Sequence, residues 1–556
     1  MRLVILTSIL MTCGAGCGAA KSAESFGGDR AASPDSGTTP GRQCVAPNDC
    51  PPGQTCNQFG FCMAPSRQGD GGAGDGGAPP PPEVEVKRES PASGKRYVYV
   101  AIAAQDTVVK IDSQTLGVRT VKVGENPGAL RTAPGEDLAV VLNRAAGSAS
   151  ILRSRADGTD EVLTLRTAAG LNQLAMAPDG RHAVAFFDVS LTQGQFGSQV
   201  TFQEVTLLRL VAGQEQAVDL SVGFNPREVQ FAADGSRAYV VTDHGVSTLD
   251  LTKKLEPSIV PAIPLVRDLL TEARPAEVAI TPDGKLALAR IPGLKALRVV
   301  NLETRALTDL PLGAEPTDLD IAPDGALALA VLRDAKEVAF IDLPADLTDP
   351  SGVQRLSTGS YTAGQAALTP DGQRALLFTN ATNQEVLLVA ELKSRELRTV
   401  RLEKGVRTVL PAPDSTTALV LHNRLPGSLS PADPVEVQLD KRSGYSVLRL
   451  LDGYVKLQLT AVDPGPVAFT GDGGAAYLLL SGSAGAIRLA EAIDLRSFLT
   501  RAIPLGSPPV SVGVVPATKQ VYVAQEHPLG RVTFIDTQSS SLRTLTGFAL
   551  NSQVIE

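Results

Sequence analysis

The chain has 556 residues, of which 43% are hydrophobic and 20% charged, so it holds enough apolar material for a large core and is long enough for several domains. Its 51 Lys and Arg stand against 59 Asp and Glu, a formal net charge of -8. The basic residues are scattered, so the sequence has no basic stripe for DNA or RNA, and nucleic acid is not expected as a partner.

Residues 1–16 place Arg2 before an apolar run from Leu3 to Met11 and then small residues, the layout of a secretory signal peptide. The run is too short to cross a bilayer as a helix. Gly14, Ala15 and Gly16 ahead of Cys17 resemble the bacterial lipoprotein processing site, with Gly14 where that family usually has Leu. The resemblance implies cleavage before Cys17 and lipidation of Cys17, so that the membrane is a partner through a lipid anchor. Gly18, rather than Asp, implies the outer membrane of a cell envelope. A plain cleaved signal with secretion is the alternative, and Cys13, preceded by Thr12, is the poorer lipidation candidate.

Residues 17–43 are rich in Gly, Ser, Ala, Asp and Pro and read as a flexible tether. Residues 44–62, CVAPNDCPPGQTCNQFGFC, carry Cys44, Cys50, Cys56 and Cys62. In an exported chain this reads as a small module stapled by two disulfides, with the pairing left open. Zinc is the rival, but equal gaps of five residues and the lack of a nearby His do not fit common zinc sites. The segment resembles small cysteine-rich modules near the N-termini of bacterial surface lipoproteins. Residues 63–82, ending in GDGGAGDGGAPPPP, are a Gly/Pro-rich linker.

From residue 83 to 556 one phrase recurs: MAPDGRHAVAFF, FAADGSRAYVVT, ITPDGKLALARI, IAPDGALALAVL, LTPDGQRALLFT and FTGDGGAAYLLL, with looser copies at Pro91, Pro134, Pro413 and Pro516. Around each phrase lie four short runs of alternating or continuous apolar residues separated by turn residues, which predicts four strands per copy. Pro presets φ, Asp bonds the backbone ahead and Gly accepts a positive φ, so Pro-Asp-Gly predicts a tight turn. Ten copies at a mean period of about 47 residues match four-stranded blades stacked radially, each covering its neighbour's apolar face. The predicted fold class is all-β, a β-propeller.

SGKRYVYVAIAAQDTVVKID (93–112) and VPATKQVYVAQEHPLGRVTFID (515–536) resemble YVTN-type β-propeller repeats. The resemblance covers roughly residues 90–556 and implies the fold. It says little of activity, because its relatives include binding proteins, lactonases and haem-containing domains. WD40 propellers are a poorer match, because the chain has no Trp. The C-terminal NSQVIE (551–556) mimics lead-in segments such as NPREVQ, which predicts that a C-terminal strand completes the first blade and closes the ring. EVEV (83–86) is the alternative. Ten copies exceed the usual four to eight blades, so one large ring competes with two smaller rings or with incomplete copies.

In such a blade the turns after the second and fourth strands share one face. Reading the turns after the second strand in chain order gives Gln105 and Asp106, Asn143 and Arg144, Asp188, Asp243 and His244, Arg333 and Asp334, Asn380 and Asn383, His422 and Asn423, and Glu526 and His527. This rim is the candidate ligand face, while His182 falls on the opposite one. The insertions after Asp188 (LTQGQFGSQ) and after Asn423 (RLPGSLSPADP) are candidate recognition loops. No G-x-S-x-G elbow, H-E-x-x-H helix, P-loop or strand-to-helix G-x-G-x-x-G is present, so no catalytic residue, cofactor or metal is expected. The function expected is a lipid-anchored, non-catalytic platform for an unidentified protein or envelope ligand. The alternative is a lactonase-like hydrolase using His244, His422 or Glu526 at the central channel.

Overall fold

The computed structural model describes residues 55–56, 62–63, 92–155, 159–192, 197, 200–481, 487–550 and 554–555. The chain forms two compact units, Met11–Pro80 and the remainder. In Met11–Pro80 the described residues are two antiparallel strands, Thr55–Cys56 and Cys62–Met63, with Cys56 opposite Cys62. Cys17, Cys44 and Cys50, and with them the signal, tether and linker, lie outside the described residues.

In the larger unit the repeated phrase builds ten sheets, blades 1 to 10, antiparallel except where the short Ser258–Ile259 pairs in parallel with the fourth strand of blade 3. Blade 6 is representative, with strands Asp318–Ile321, Leu327–Leu332, Glu337–Asp342 and Gln354–Ser357 pairing in sequence order. Its Pro-Asp-Gly turn has Gly325 at φ 74°, and Asp324 Oδ1 accepts the Ala326 N–H at 3.0 Å. The predicted turn chemistry is therefore the observed one. The second and third strands are buried on both sides because each sheet is covered by two neighbours, which is why they read as continuous aliphatic runs. Fourth strands lie at the rim and alternate, as Leu307–Pro311 does.

Apolar clusters fill the space between consecutive blades. Ala328 and Ile341 of blade 6 pack against Leu288 and Leu310 of blade 5, for example. Blade 10 packs against blade 1 in the same way: Tyr522, Val532 and Phe534 meet Val98, Val109 and Ile111. The ring is therefore single, with ten blades. Sheets packed about 10 Å apart put the middle of each blade roughly 16 Å from the axis and the innermost strands roughly 9 Å from it.

The expectation for the C-terminal strand is corrected. Val554–Ile555 pairs with Leu542–Thr546, the outermost strand of blade 10, and leaves blade 1 alone. Among the described residues blade 1 has three strands, Tyr97–Ile102, Thr107–Asp112 and Val118–Lys122, and its inner edge is met by Ser93, which bridges to Val98. A hairpin a few residues long loses far less loop entropy than recruiting a strand some 450 residues away. The alternative EVEV lies outside the described residues. The seam closes through packing and a few hydrogen bonds, including Ser93 Oγ to Val514 O at 2.9 Å and Ala517 N to Lys95 O at 3.1 Å.

Candidate functional site

Because the second strand of each blade ends where the first begins, the turn after the second strand meets the connection arriving from the previous blade. The predicted rim residues sit at these junctions, and most are bonded there. Asp106 Oδ1 accepts the Asn126 N–H at 2.9 Å. Asp243 accepts from Asn225 Nδ2 at 2.9 Å and lies 3.4 Å from Arg274 and 3.7 Å from Arg227. Asp188 bonds Asn172 through its backbone N–H and caps Ser190 with its carboxylate. Asn423 Nδ2 donates to Val406 O at 2.9 Å.

Several of these residues knit one blade to the next. Arg144 donates to Asn172 O at 3.4 Å, Arg227 to Pro275 O at 2.9 Å and Asn380 to Arg407 O at 3.2 Å, in each case the start of the following blade. Arg407 donates likewise to Pro464 O. Gln105 Nε2 bonds Ala549 O at 2.6 Å across the seam. Asn383 donates to Asp440, within the insertion of blade 8. Arg333 lies 3.5 Å from Asp334.

His422 has the surroundings most like a catalytic dyad. Its Nδ1 lies 3.2 Å from Gly405 O, a carbonyl that can only accept, so Nδ1 carries the proton and the Ser446 hydroxyl donates to Nε2 at 2.7 Å. The ring is 1% exposed, and burial pushes its pKa down to about 4. Side chains at the same two positions are bonded in other blades too, there with an amide donating to the hydroxyl. Asn143 Nδ2 bonds Ser150 Oγ at 2.9 Å in blade 2, and Gln525 Nε2 bonds Thr533 Oγ1 at 2.6 Å in blade 10. There the hydroxyls continue to the fourth strand, Ser150 to Thr164 and Thr533 to Thr544. His422 and Ser446 thus occupy a strand-end tie of the repeat.

The other hydrolase candidates do not join them. His244, half-buried, belongs to blade 4, and its carbonyl accepts the Leu265 N–H. Glu526 is exposed on blade 10, and His527 Nδ1 accepts the Leu529 N–H within its own turn. At the blade midline, blades 4 and 8 are roughly 30 Å apart and blades 8 and 10 roughly 19 Å, beyond hydrogen-bond reach. His244, His422 and Glu526, the alternatives for a hydrolase, therefore do not come together at one centre. Among the described residues no group of three or more His, Cys, Asp or Glu is placed to hold a metal ion. His182 is buried in the second strand of blade 3, on the opposite face as expected, and burial lowers its pKa.

Two buried cations escape a reading by position. Arg298 in the third strand of blade 5 and Lys404 ahead of blade 8 are almost wholly enclosed. Each supports a connection on the same face as the rim. The available signal is Arg298 itself, a charge at a place where other blades have Ser150, Thr206 or Thr533.

No family model matches the chain, and no curated protein matches it. Solved structures resembling it include hydrazine synthase of Kuenenia stuttgartiensis, at 19% identity over 57% of this chain and 96% of that one, with TM-score 0.33. Dihydro-heme d1 dehydrogenase NirN matches at 15% identity over 80% and 81%, TM-score 0.38. A functionally unknown protein from Desulfotomaculum acetoxidans matches at 14% over 59% and 96%, TM-score 0.32. Likenesses this distant carry nothing on activity.

Proposed function

We propose that the protein is a lipid-anchored component of the cell envelope, held at the outer membrane through Cys17, and that its ring is a non-catalytic platform for another envelope component. The observation that carries the non-catalytic part is the recurrence of the His422–Ser446 tie as Asn143–Ser150 and Gln525–Thr533. Asn and Gln hold the equivalent position in other blades and also tie it to the third strand, there with the amide as donor, which supports a strand-end role for His422. Gly14, Ala15 and Gly16 ahead of Cys17 support the anchor, and the Gly- and Pro-rich residues up to 82 support a tether. No helix among the described residues is long and apolar enough to cross a membrane.

Two measurements test this reading. In cells fed a clickable fatty-acid analogue, the native protein should take up the acyl label and Cys17→Ala should not, and a native protein without label overturns the anchor. A thermal-shift screen against lactones, sugars, peptidoglycan fragments and divalent metals addresses the platform, since a ligand of the native state raises its stability by RT ln(1 + [L]/Kd). Cross-linking to an envelope protein with no small-molecule shift supports the platform. A saturable lactone shift accompanied by lactone hydrolysis overturns it.

A further inference from the structure

Two connections on the rim face end in exposed aliphatic side chains, and each stands on a buried cation. Residues 265–275 link blades 4 and 5 and leave Leu269 63% and Leu270 94% exposed. Beneath them Arg298, 1% exposed, donates to both oxygens of Glu272 at 2.9 and 3.0 Å and also pairs with Asp309. Glu272 in turn accepts the Arg267 N–H at 2.6 Å, and Asp268 accepts the Leu270 N–H at 2.9 Å. The leucine pair is thus a fixed tip.

The second tip is the insertion in blade 8, residues 423–442, with its short helix Val435–Asp440. Leu425, Leu429, Val435 and Val437 are 38–66% exposed. Lys404, 0% exposed, donates to Leu439 O from below, Leu425 N–H bonds Asp440 O at 2.9 Å, and Lys441 pairs with Asp433 at 2.8 Å. Burying a cation under a loop is unfavourable unless its partners are held in place. Both tips therefore keep their aliphatic side chains in water rather than folding them away, an arrangement that favours a covering partner.

The covering partner has to reach both tips, which lie on one face and roughly 30 Å apart by the ring geometry. A flat, extended surface that accepts Leu and Val meets that requirement. Between Cys17 and Ala92 the sequence has two stretches of linker composition, 17–43 and 63–82. An acyl chain on Cys17 would hold the tips at an effective concentration in the millimolar range against the bilayer, where two weak contacts suffice. We propose that Leu269–Leu270 and the 425–437 tip rest in the interfacial layer of a lipid bilayer and turn the Pro-Asp-Gly face outward. The proposal rests on the anchor reading above for its geometry, but the contact itself needs no lipidation.

The test is vesicle flotation of the chain from residue 17 carrying Cys17→Ala, with vesicles of phosphatidylethanolamine and phosphatidylglycerol. The unlipidated protein should co-float in proportion to lipid. Leu269→Ser with Leu270→Ser, or Leu425→Ser with Val435→Ser, should lower the partition coefficient at least about tenfold. Leu451→Ser with Leu499→Ser, exposed on the opposite face, should leave it unchanged. No co-flotation, equal co-flotation of the tip variants, or tip substitutions that instead dissolve a dimer in size-exclusion chromatography overturn the proposal. Failure of the anchor is read separately, from acyl labelling at Cys17, which tip binding does not affect.

Discussion

At His422 a buried imidazole makes stability depend on pH. Burial holds its pKa at about 4, against about 6.5 in an unfolded chain. Between those values the unfolded state takes up a proton that the native state refuses, so this share of stability is complete above pH 6.5 and falls as the pH drops toward 4. The loss between pH 7 and pH 5 is about 2 kcal/mol for this residue. Since Asn143 holds the equivalent position in blade 2 and bonds the matching hydroxyl by donating to it, His422→Asn should fold and lose that share of the pH dependence. His182, also lowered by burial, keeps a part of it. Urea denaturation at the two pH values checks this, and an unchanged pH 7-to-5 difference in the variant would count against it. The rim was legible in the sequence as a set of positions, because turn residues after each second strand can be counted. What those side chains bond was not legible, because their partners arrive from the preceding or following blade, as Asn172 O does for Arg144 and Arg407 O for Asn380.

The turn between first and second strands shows how one sequence phrase serves different neighbours. Gly284 has φ 69°, and a Cβ there would come 1.7 Å from the Oη of buried Tyr239, whose hydroxyl donates to Gly284 O at 3.2 Å. Gly135 has φ 72° but faces open space. Gly135→Ala should therefore cost only the left-handed backbone term, about 1 kcal/mol. Gly284→Ala adds displacement of Tyr239 and should cost about 3–4 kcal/mol. Denaturation of the two variants side by side checks this, and equal losses would mean that Tyr239 relocates freely. Turn type and strand number were legible here because Pro, Asp and Gly act locally. Arg298 was not: its carboxylates stand 26 residues before it and 11 after, and a solvated Arg reads the same.

Across the whole ring, the repeat count gave ten blades, since each period of about 47 residues builds one sheet. Closure followed a different route from the one the C-terminal pattern suggested, because the match of NSQVIE to NPREVQ describes a strand and not its partner. If packing holds the seam, deleting residues 551–556 should cost less than about 1 kcal/mol, as for a peripheral change. Phe534→Ala, at a position 1% exposed between blades 10 and 1, should cost about 3–5 kcal/mol. Thermal unfolding ranks the two, and a deletion as harmful as the substitution would return closure to the terminal strand. The seam also decides where the molecule is mechanically weakest. The chain enters the ring beside blade 1, which has three strands among the described residues. Tension along the N-terminal segment is therefore delivered to Ser93 and the strand Tyr97–Ile102, next to the one junction between blades that no continuous backbone crosses. A pulled ring yields there first, opening as a clasp and leaving the other nine junctions closed.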